Sequence, residues 1–152
     1  MNDSPWLSDE QQMVWRSWLA VSAGLPAALH RQLAADSGLS LPDFDVLVQL
    51  SESSEGRLRV TELARALTWE RSRVSHHLTR MQRRGLVARE ECADDGRGAF
   101  VVLSPAGRTA IEQAAPAHVR TVRDLVFAGL DADDLAALGR VLDSVRGRLA
   151  AT

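Results

Sequence analysis

Apolar residues recur every three or four positions through the first part of the chain, which is the pattern of amphipathic helices. In the first such segment, Gln11 to Ala35, the recurring positions are Val14, Trp18, Val21, Leu25, Leu29 and Leu33. Pro26 removes one backbone donor from this segment, so we expect a kink or break near Gly24–Pro26. A second helix is predicted from Ser40, a favourable N-cap residue, to about Ser51.

The middle of the chain predicts two helices joined by a very short turn. Thr61 is an N-cap candidate for a helix over Glu62–Leu67. After a tight connection at Thr68-Trp69, the next helix is predicted over Glu70–Arg84, with Gly85 as its C-cap. Two helices in this arrangement fit a helix-turn-helix.

Short strands are predicted on both sides of these helices. Leu58–Val60 has the alternation of a short strand, and Leu86–Glu91 and Ala99–Leu103 read as a hairpin around a turn at residues 94–98. Arg97 lies in that turn between two glycines. An arginine on a thin β-ribbon can enter a DNA minor groove, although a surface turn has the same composition.

The C-terminal third predicts two more helices. Ser104-Pro105 begins the first, and Pro116 implies a kink within it. Asp131 caps the last helix. Its apolar residues are spaced three and four apart in turn, as in the seam of a coiled coil: Leu135, Leu138, Leu142, Val145 and Leu149.

Charge is distributed unevenly along the chain, although the net charge is only −2. Between Arg57 and Arg108 there are 11 basic and 6 acidic residues, whereas the rest of the chain has 7 basic and 14 acidic ones. All 18 basic residues are arginine, a side chain suited to phosphates and base edges. The basic middle favours an anionic partner. An ordinary solvated surface or a GC-rich genome would give similar patterns.

The helix over Glu70–Arg84 carries the strongest indication of function. One of its faces is apolar and should pack on the domain: Val74, Leu78 and Met81. Five arginines and two histidines follow Glu70 in this helix without any further acid. Like charges along one helix are locally unfavourable, and a polyanion lying along the outer face would offset that repulsion.

Five segments, in this order and spacing, resemble the MarR family, the multiple-antibiotic-resistance regulators. They are Thr61-Glu62-Leu63-Ala64, Ser72-Arg73-Val74-Ser75, Arg84-Gly85-Leu86-Val87, Asp95-Gly96-Arg97-Gly98 and Val102-Leu103-Ser104-Pro105-Ala106-Gly107. The resemblance implies one MarR-type domain over residues 1–152, mainly α with a small β-hairpin wing. It implies a winged helix-turn-helix DNA-binding lobe over about 40–104. Helices over about 8–36 and 105–150 would form a helical dimerisation lobe.

By position, the resemblance also implies the residues that contact double-stranded DNA: Arg71, Ser72, Arg73, Ser75, His76, Thr79, Arg80 and Arg97. Asp95 would support the wing tip by pairing with an arginine. The homodimer interface would include Leu135, Leu138, Leu142 and Val145. Two symmetric recognition helices require an inverted repeat with half-sites roughly 10 bp apart.

The resemblance further implies a transcriptional repressor that a small aromatic or phenolic ligand releases from DNA. Candidate pocket residues are Trp15, Trp18, His30 and Phe44, for which core packing is the alternative. A redox-responsive repressor sensing through Cys92, the single cysteine, is a second reading, although neighbouring carboxylates disfavour a reactive thiolate. A protein-interaction module that uses the C-terminal seam without binding DNA is a third.

Other classes of protein find little support in the sequence. It contains no Gly-x-Ser-x-Gly elbow, phosphate-binding glycine loop or His-Glu-x-x-His motif, so we do not expect an enzyme. The four histidines and one cysteine lack metal-ligand spacing, and no metal or other cofactor is expected. The acidic N-terminus and the lack of a long apolar run predict a cytoplasmic location without a membrane partner.

Overall fold

A computed structural model describes residues 5–91 and 98–152 of the chain. The chain divides into two compact units, Met1–His118 and Val119–Thr152. The first unit contains these described elements: α1 (Asp9–Ser37), α2 (Leu41–Glu52), β1 (Arg57–Arg59), α3 (Val60–Leu67), α4 (Arg71–Arg83), β2 (Val87–Glu90), β3 (Phe100–Leu103) and α5 (Pro105–Val122). The last of them, α5, continues into the second unit. The second unit adds a π-helical segment, Arg123–Phe127, and α6 (Ala132–Ala150).

Capping residues fix where most of the helices begin. Ser40 accepts a hydrogen bond from the backbone N–H of Asp43, and Asp131 does the same for Asp134, which confirms both predicted N-caps. Ser8 caps α1 through the N–H of Gln11. Each cap satisfies a donor that the first turn of a helix leaves free.

The break expected within α1 is absent, and the expected start of α3 is wrong. α1 continues through Pro26 without a break, because a proline deletes a single hydrogen bond from a helix of 29 residues. α3 begins at Val60, with Arg59 rather than Thr61 as its N-cap, and Glu62 accepts the Arg59 N–H at 2.8 Å. β1 therefore ends one residue earlier than expected, and α3 follows it without a loop.

The turn between α3 and α4 and the end of α4 both use left-handed backbone. Thr68 has a φ of 56° and closes α3, leaving two residues before α4 begins. The C-cap of α4 is Arg84 rather than Gly85, which follows with a φ of 75°. This is the conformation that a glycine just beyond a helix adopts at little cost.

The three strands form one antiparallel sheet in the order β1-β3-β2. Arg59 pairs with Phe100 on one side of β3, and Glu90 pairs with Phe100 on the other. The predicted hairpin of β2 and β3 is thus joined by a third strand that precedes α3.

One hydrophobic core holds the first unit together. Its fully buried side chains come from α1, α2, α3, α4 and β3: Leu33, Val46, Leu47, Leu50, Leu63, Val74, Leu78, Met81 and Val101. The three α4 residues predicted to pack on the domain are all among them. The sheet and α4 are therefore fixed to the same core.

The start of α5 is packed through Gly107 against the segment that joins α4 to β2. A Cβ atom at Gly107 would lie 2.1 Å from the carbonyl oxygen of Leu86 and 2.9 Å from Leu103 Cδ1. Ser104 secures this approach: its N–H donates to Leu86 O and its hydroxyl donates to Gly85 O. Glycine is required here because backbone, not a movable side chain, occupies the space.

The second unit exposes much of its apolar surface. Leu135 and Leu142 are 52% and 42% exposed, and Leu138 and Val145 are half-buried. The seam residues of α6 therefore have no fully buried position within the single chain. Within residues 5–91 and 98–152, no helix combines the length and apolar character needed to cross a membrane.

Candidate nucleic-acid interface

α4 presents a polar, cationic face opposite the one that packs on the core. Its exposed residues are Arg71, Ser72, Arg73, Ser75, His76, Arg80, Gln82 and Arg83. Six of the eight residues implied as DNA contacts are in this set. A seventh, Thr79, is half-buried, and the eighth, Arg97, lies outside the described residues.

The arginines of α4 differ in how they are held. The guanidinium of Arg73 stacks over the ring of Trp69, with its carbon 4.1 Å from the ring centroid. Arg80 Nη2 lies 3.0 Å from Nδ1 of His77, one turn earlier on the same helix. Arg73 and Arg80 are exposed yet each has a partner that restricts its side chain, which favours preorganised contacts.

A buried carboxylate lies beneath α4. The side chain of Asp43, only 4% exposed, approaches Arg84 Nη1 at 2.6 Å and His77 Nε2 at 3.0 Å. Arg84 also donates to the Gly38 carbonyl at 3.1 Å. The start of α2, the end of α1 and the end of α4 are thereby linked through charged groups.

The charged state of Asp43 depends on these partners. Burial alone would raise the pKa of Asp43, but contacts with His77, with the Ser40 N–H and with Arg84 outweigh burial and hold this pKa well below its usual range. The Nε2 atom of His77 makes a close polar contact with the carboxylate without a directed hydrogen bond. Sequence patterns did not indicate this network, because its members are up to 46 residues apart.

Arg89 connects the sheet to α4. From β2 it donates to the backbone carbonyl of Ser75, and its Nη2 lies 3.4 Å from Ser75 Oγ and 3.3 Å from Thr79 Oγ1. The Thr79 hydroxyl itself donates to Ser75 O at 3.0 Å. Thr79 thus faces β2, and Arg89 is a cation at this surface that the sequence did not single out.

The sheet carries a second cationic cluster around Phe100. Guanidinium carbons of Arg57 and Arg59 lie 4.0 and 4.7 Å from the centroid of this ring. Arg57 also approaches Glu90 at 3.6 Å. Both arginines lie on β1, next to the strands that carry the predicted wing.

Three residues of interest cannot be placed. Arg97 and Asp95, implied at the wing tip, and Cys92, the possible redox sensor, lie outside the described residues. Their roles stay predictions.

The four predicted pocket residues do not converge on one site. His30 lines a cleft of about 510 Å³ between α1, α2 and α4, together with Ala34, Leu39, His77, Arg80 and Arg84 among others. Phe44 is buried in the core and its ring lies 4.2 Å from that of His118. Trp15 and Trp18 are 51% and 41% exposed and line none of the three described cavities.

His118 and Asp45 form a second, partly buried titratable pair. Burial lowers the pKa of His118 and raises that of Asp45, and the charge of each opposes the effect of burial on the other. His118 Nδ1 also lies 3.2 Å from Gln32 on α1. Among the residues that the structure describes, no group of three or more His, Cys, Asp or Glu side chains is arranged to hold a metal ion.

The helix pair α3–α4, its short turn and the three-stranded sheet, in which β1 precedes α3 while β2 and β3 follow α4, define a winged helix-turn-helix protein. Residues 37–98 match the model of the MarR family. AbsC, a MarR family transcriptional regulator from Streptomyces coelicolor, is 38% identical with a TM-score of 0.92, over 98% of this chain and 100% of that one. The chain therefore belongs to the MarR family of transcriptional regulators.

Two further relatives support this assignment. Sco3205, a MarR family regulator from Streptomyces coelicolor solved in complex with DNA, is 40% identical with a TM-score of 0.90. That match covers 95% of this chain and 94% of Sco3205. The HTH-type transcriptional repressor YetL of Bacillus subtilis strain 168 is 31% identical over 84 residues, which are 55% of this chain and only 50% of YetL.

Proposed function

We propose that this protein is a homodimeric repressor that binds a specific inverted repeat in double-stranded DNA. The observation that carries the proposal is the exposed cationic face of α4, fixed to the core by Val74, Leu78 and Met81. A helix of this kind fits the major groove, where arginine reads guanine edges. Its relative Sco3205 was solved with DNA, and YetL is a repressor.

We assign DNA binding and dimerisation to different segments of the chain. Residues of about 40–104 bind DNA, with α4 in the major groove and Arg97 in the adjacent minor groove, supported by Asp95. Helices over about 8–36 and 105–150 form the dimer. Exposed apolar side chains on α6, among them Leu135 and Leu142, support this, since large exposed apolar patches mark interaction surfaces.

Ligand control is the finer part of the proposal. The cleft beside His30 has a volume in the range of small-molecule sites and borders the base of α4. A small aromatic or phenolic molecule bound there would favour an arrangement of α4 that does not fit DNA. Titrating phenol and benzoate into the protein–DNA complex tests this. If neither compound releases the protein from DNA, these two ligands are excluded from the proposal.

Selection from a randomised duplex library, followed by binding and sedimentation measurements, tests the core of the proposal. The selected duplexes should contain an inverted repeat, and affinity should fall steeply with salt because arginines displace counterions from phosphates. Sedimentation should give two copies of the chain per duplex. Equal affinity for selected and scrambled duplexes, or a monomer at working concentration, would remove the proposal.

Arg73→Ala and Arg80→Ala distinguish base reading from phosphate contact. We expect each to weaken binding to the selected duplex by about 1–3 kcal/mol and to affect a scrambled duplex less. Arg16→Ala is the control for loss of a guanidinium outside α4, because this exposed side chain bonds to Gln12 within α1, and sedimentation first establishes that the variant has the same number of subunits as the wild type. Equal losses on both duplexes would assign the arginine to phosphate contact instead.

A further inference from the structure

His77 is the polar residue among the buried positions of α4, which also include Val74, Leu78 and Met81. Its neighbours Ser75, His76 and Arg80 are exposed, whereas His77 is only 7% exposed. Its ring meets the edge of Trp69, with centroids 5.7 Å apart. Buried polar side chains are generally hydrogen-bonded or paired, and each ring nitrogen of His77 has a polar partner.

The two ring nitrogens have different partners, and these determine which nitrogen carries the proton. Arg80 Nη2 lies 3.0 Å from Nδ1, and a guanidinium can only donate, so Nδ1 accepts with its lone pair. Nε2 lies 3.0 Å from a carboxylate oxygen of Asp43. A proton on Nε2 is attracted to that oxygen, whereas a lone pair there would be repelled. The Asp43 contact thus favours a proton on Nε2 and the Arg80 contact a lone pair on Nδ1, which together select the Nε2–H tautomer.

Asp43 is itself immobilised. Its second carboxylate oxygen accepts from Arg84 at 2.6 Å and from the Ser40 N–H at 2.9 Å. These bonds keep the carboxylate charged and fixed in direction at the start of α2. The orientation of the His77 ring is therefore set by groups outside α4.

Arg80 is restrained by His77 but keeps hydrogen-bond donors available for DNA. One of its Nη atoms contacts His77, and the remaining N–H donors are on an exposed side chain. An unrestrained arginine loses much rotamer freedom when it binds, and prior restraint reduces that cost. We propose that His77, oriented by Asp43, is a positioning residue that presents Arg80 to a base edge and so contributes to sequence discrimination. This inference rests on the proposed binding of DNA by α4.

Two substitutions separate the two nitrogen contacts. His77→Gln places an amide near the Nε2 position, where it can donate to Asp43, but leaves Arg80 without its acceptor. His77→Asn places an amide oxygen near the Nδ1 position and retains that acceptor. On a duplex selected by the wild-type protein, we expect His77→Gln to lose roughly tenfold in affinity and His77→Asn to lose less. On a scrambled duplex, both should change affinity by less than about twofold.

Combining His77→Gln with Arg80→Ala tests whether the effect passes through Arg80. If His77 acts by positioning, the loss from His77→Gln should nearly vanish once Arg80 is alanine. An equal loss in both backgrounds would mean that His77 merely supports the fold, and the inference would be wrong. Tighter binding by His77→Gln would also overturn it, since Arg80 would then be held away from DNA. A wild-type protein that fails to distinguish the two duplexes would remove the proposed function and this role together.

Nitrogen-15 NMR of the free protein examines the geometry without DNA. The His77 ring should show a protonated Nε2 and an unprotonated Nδ1 in the wild type. Asp43→Asn should weaken that preference, whereas Asp36→Asn, at an exposed α1 position, should leave it unchanged. A wild-type ring protonated on Nδ1 would overturn the inference even if α4 binds DNA as proposed.

Discussion

Gly107→Ala is expected to lower the free energy of unfolding by about 3 kcal/mol or more. The new Cβ would lie 2.1 Å from the carbonyl oxygen of Leu86. That oxygen is in the backbone and accepts the Ser104 N–H, so it cannot move aside without breaking the junction between α4, β2 and α5. Urea unfolding followed by circular dichroism, at one protein concentration for all variants, measures the loss.

Gly147→Ala is the matched control for this prediction. Gly147 also lies inside a helix, but no atom of the same chain is within 4 Å of the position that its Cβ would occupy. Alanine there should stabilise the helix by roughly 0.5–1 kcal/mol. If Gly107→Ala shifted the urea midpoint no more than Gly147→Ala, the close approach of α5 to Leu86 would not be essential to the fold.

Asp43→Asn is expected to cost about 3 kcal/mol of stability at neutral pH. Removing the charge of Asp43 leaves the partly exposed Arg84 without its ion-pair partner and weakens the polar contact of the buried His77. The folded-state pKa of Asp43 lies well below the ordinary value of 3.8. The stability that ionised Asp43 contributes is therefore fully present above about pH 5, and it is lost as pH falls below 3.8 toward the folded-state pKa.

Unfolding at pH 7, 5 and 3 measures this dependence. The difference between wild type and Asp43→Asn should be the same at the two higher values and smaller at pH 3. Asp36→Asn, which changes an exposed carboxylate on α1, should stay within about 0.5 kcal/mol of wild type throughout. The ion-pair interpretation would be contradicted if the difference in free energy of unfolding between wild type and Asp43→Asn increased as pH fell.

Local patterns predicted the elements well where a single stretch of sequence contains the cause. The spacing of Val74, Leu78 and Met81 identified the buried face of α4, and Ser40 and Asp131 marked the starts of their helices. The predicted start of α3 was wrong because Thr61 is a better N-cap residue by composition than Arg59, which occupies that position. The strand β1 ends directly at Arg59, and pairing with β3 fixes that end. The spacing of residues within one segment does not reveal its pairing with a strand that is distant in the sequence.

The candidate interface likewise has features that local sequence predicts and features that depend on distant contacts. The cationic surface of α4 followed from helical periodicity, but the burial of His77 did not. It depends on Asp43, 34 residues earlier in the chain. Arg89 was missed for a similar reason, because its contacts with Ser75 and Thr79 connect a strand to a helix. Trp15 and Trp18 were recognised as apolar, but nothing in the sequence distinguishes a ligand pocket from an exposed patch.

The stacking of Arg73 on Trp69 gives the protein an intrinsic optical reporter. Trp6, Trp15 and Trp18 all precede residue 20, so Trp69 is the one indole among residues 20–152. With phenylalanine at those three positions, tryptophan emission would come solely from a ring in contact with a guanidinium of α4. Withdrawal of Arg73 from this ring would change the emission. Movement of that arginine is then measurable by fluorescence in solution, without any attached dye.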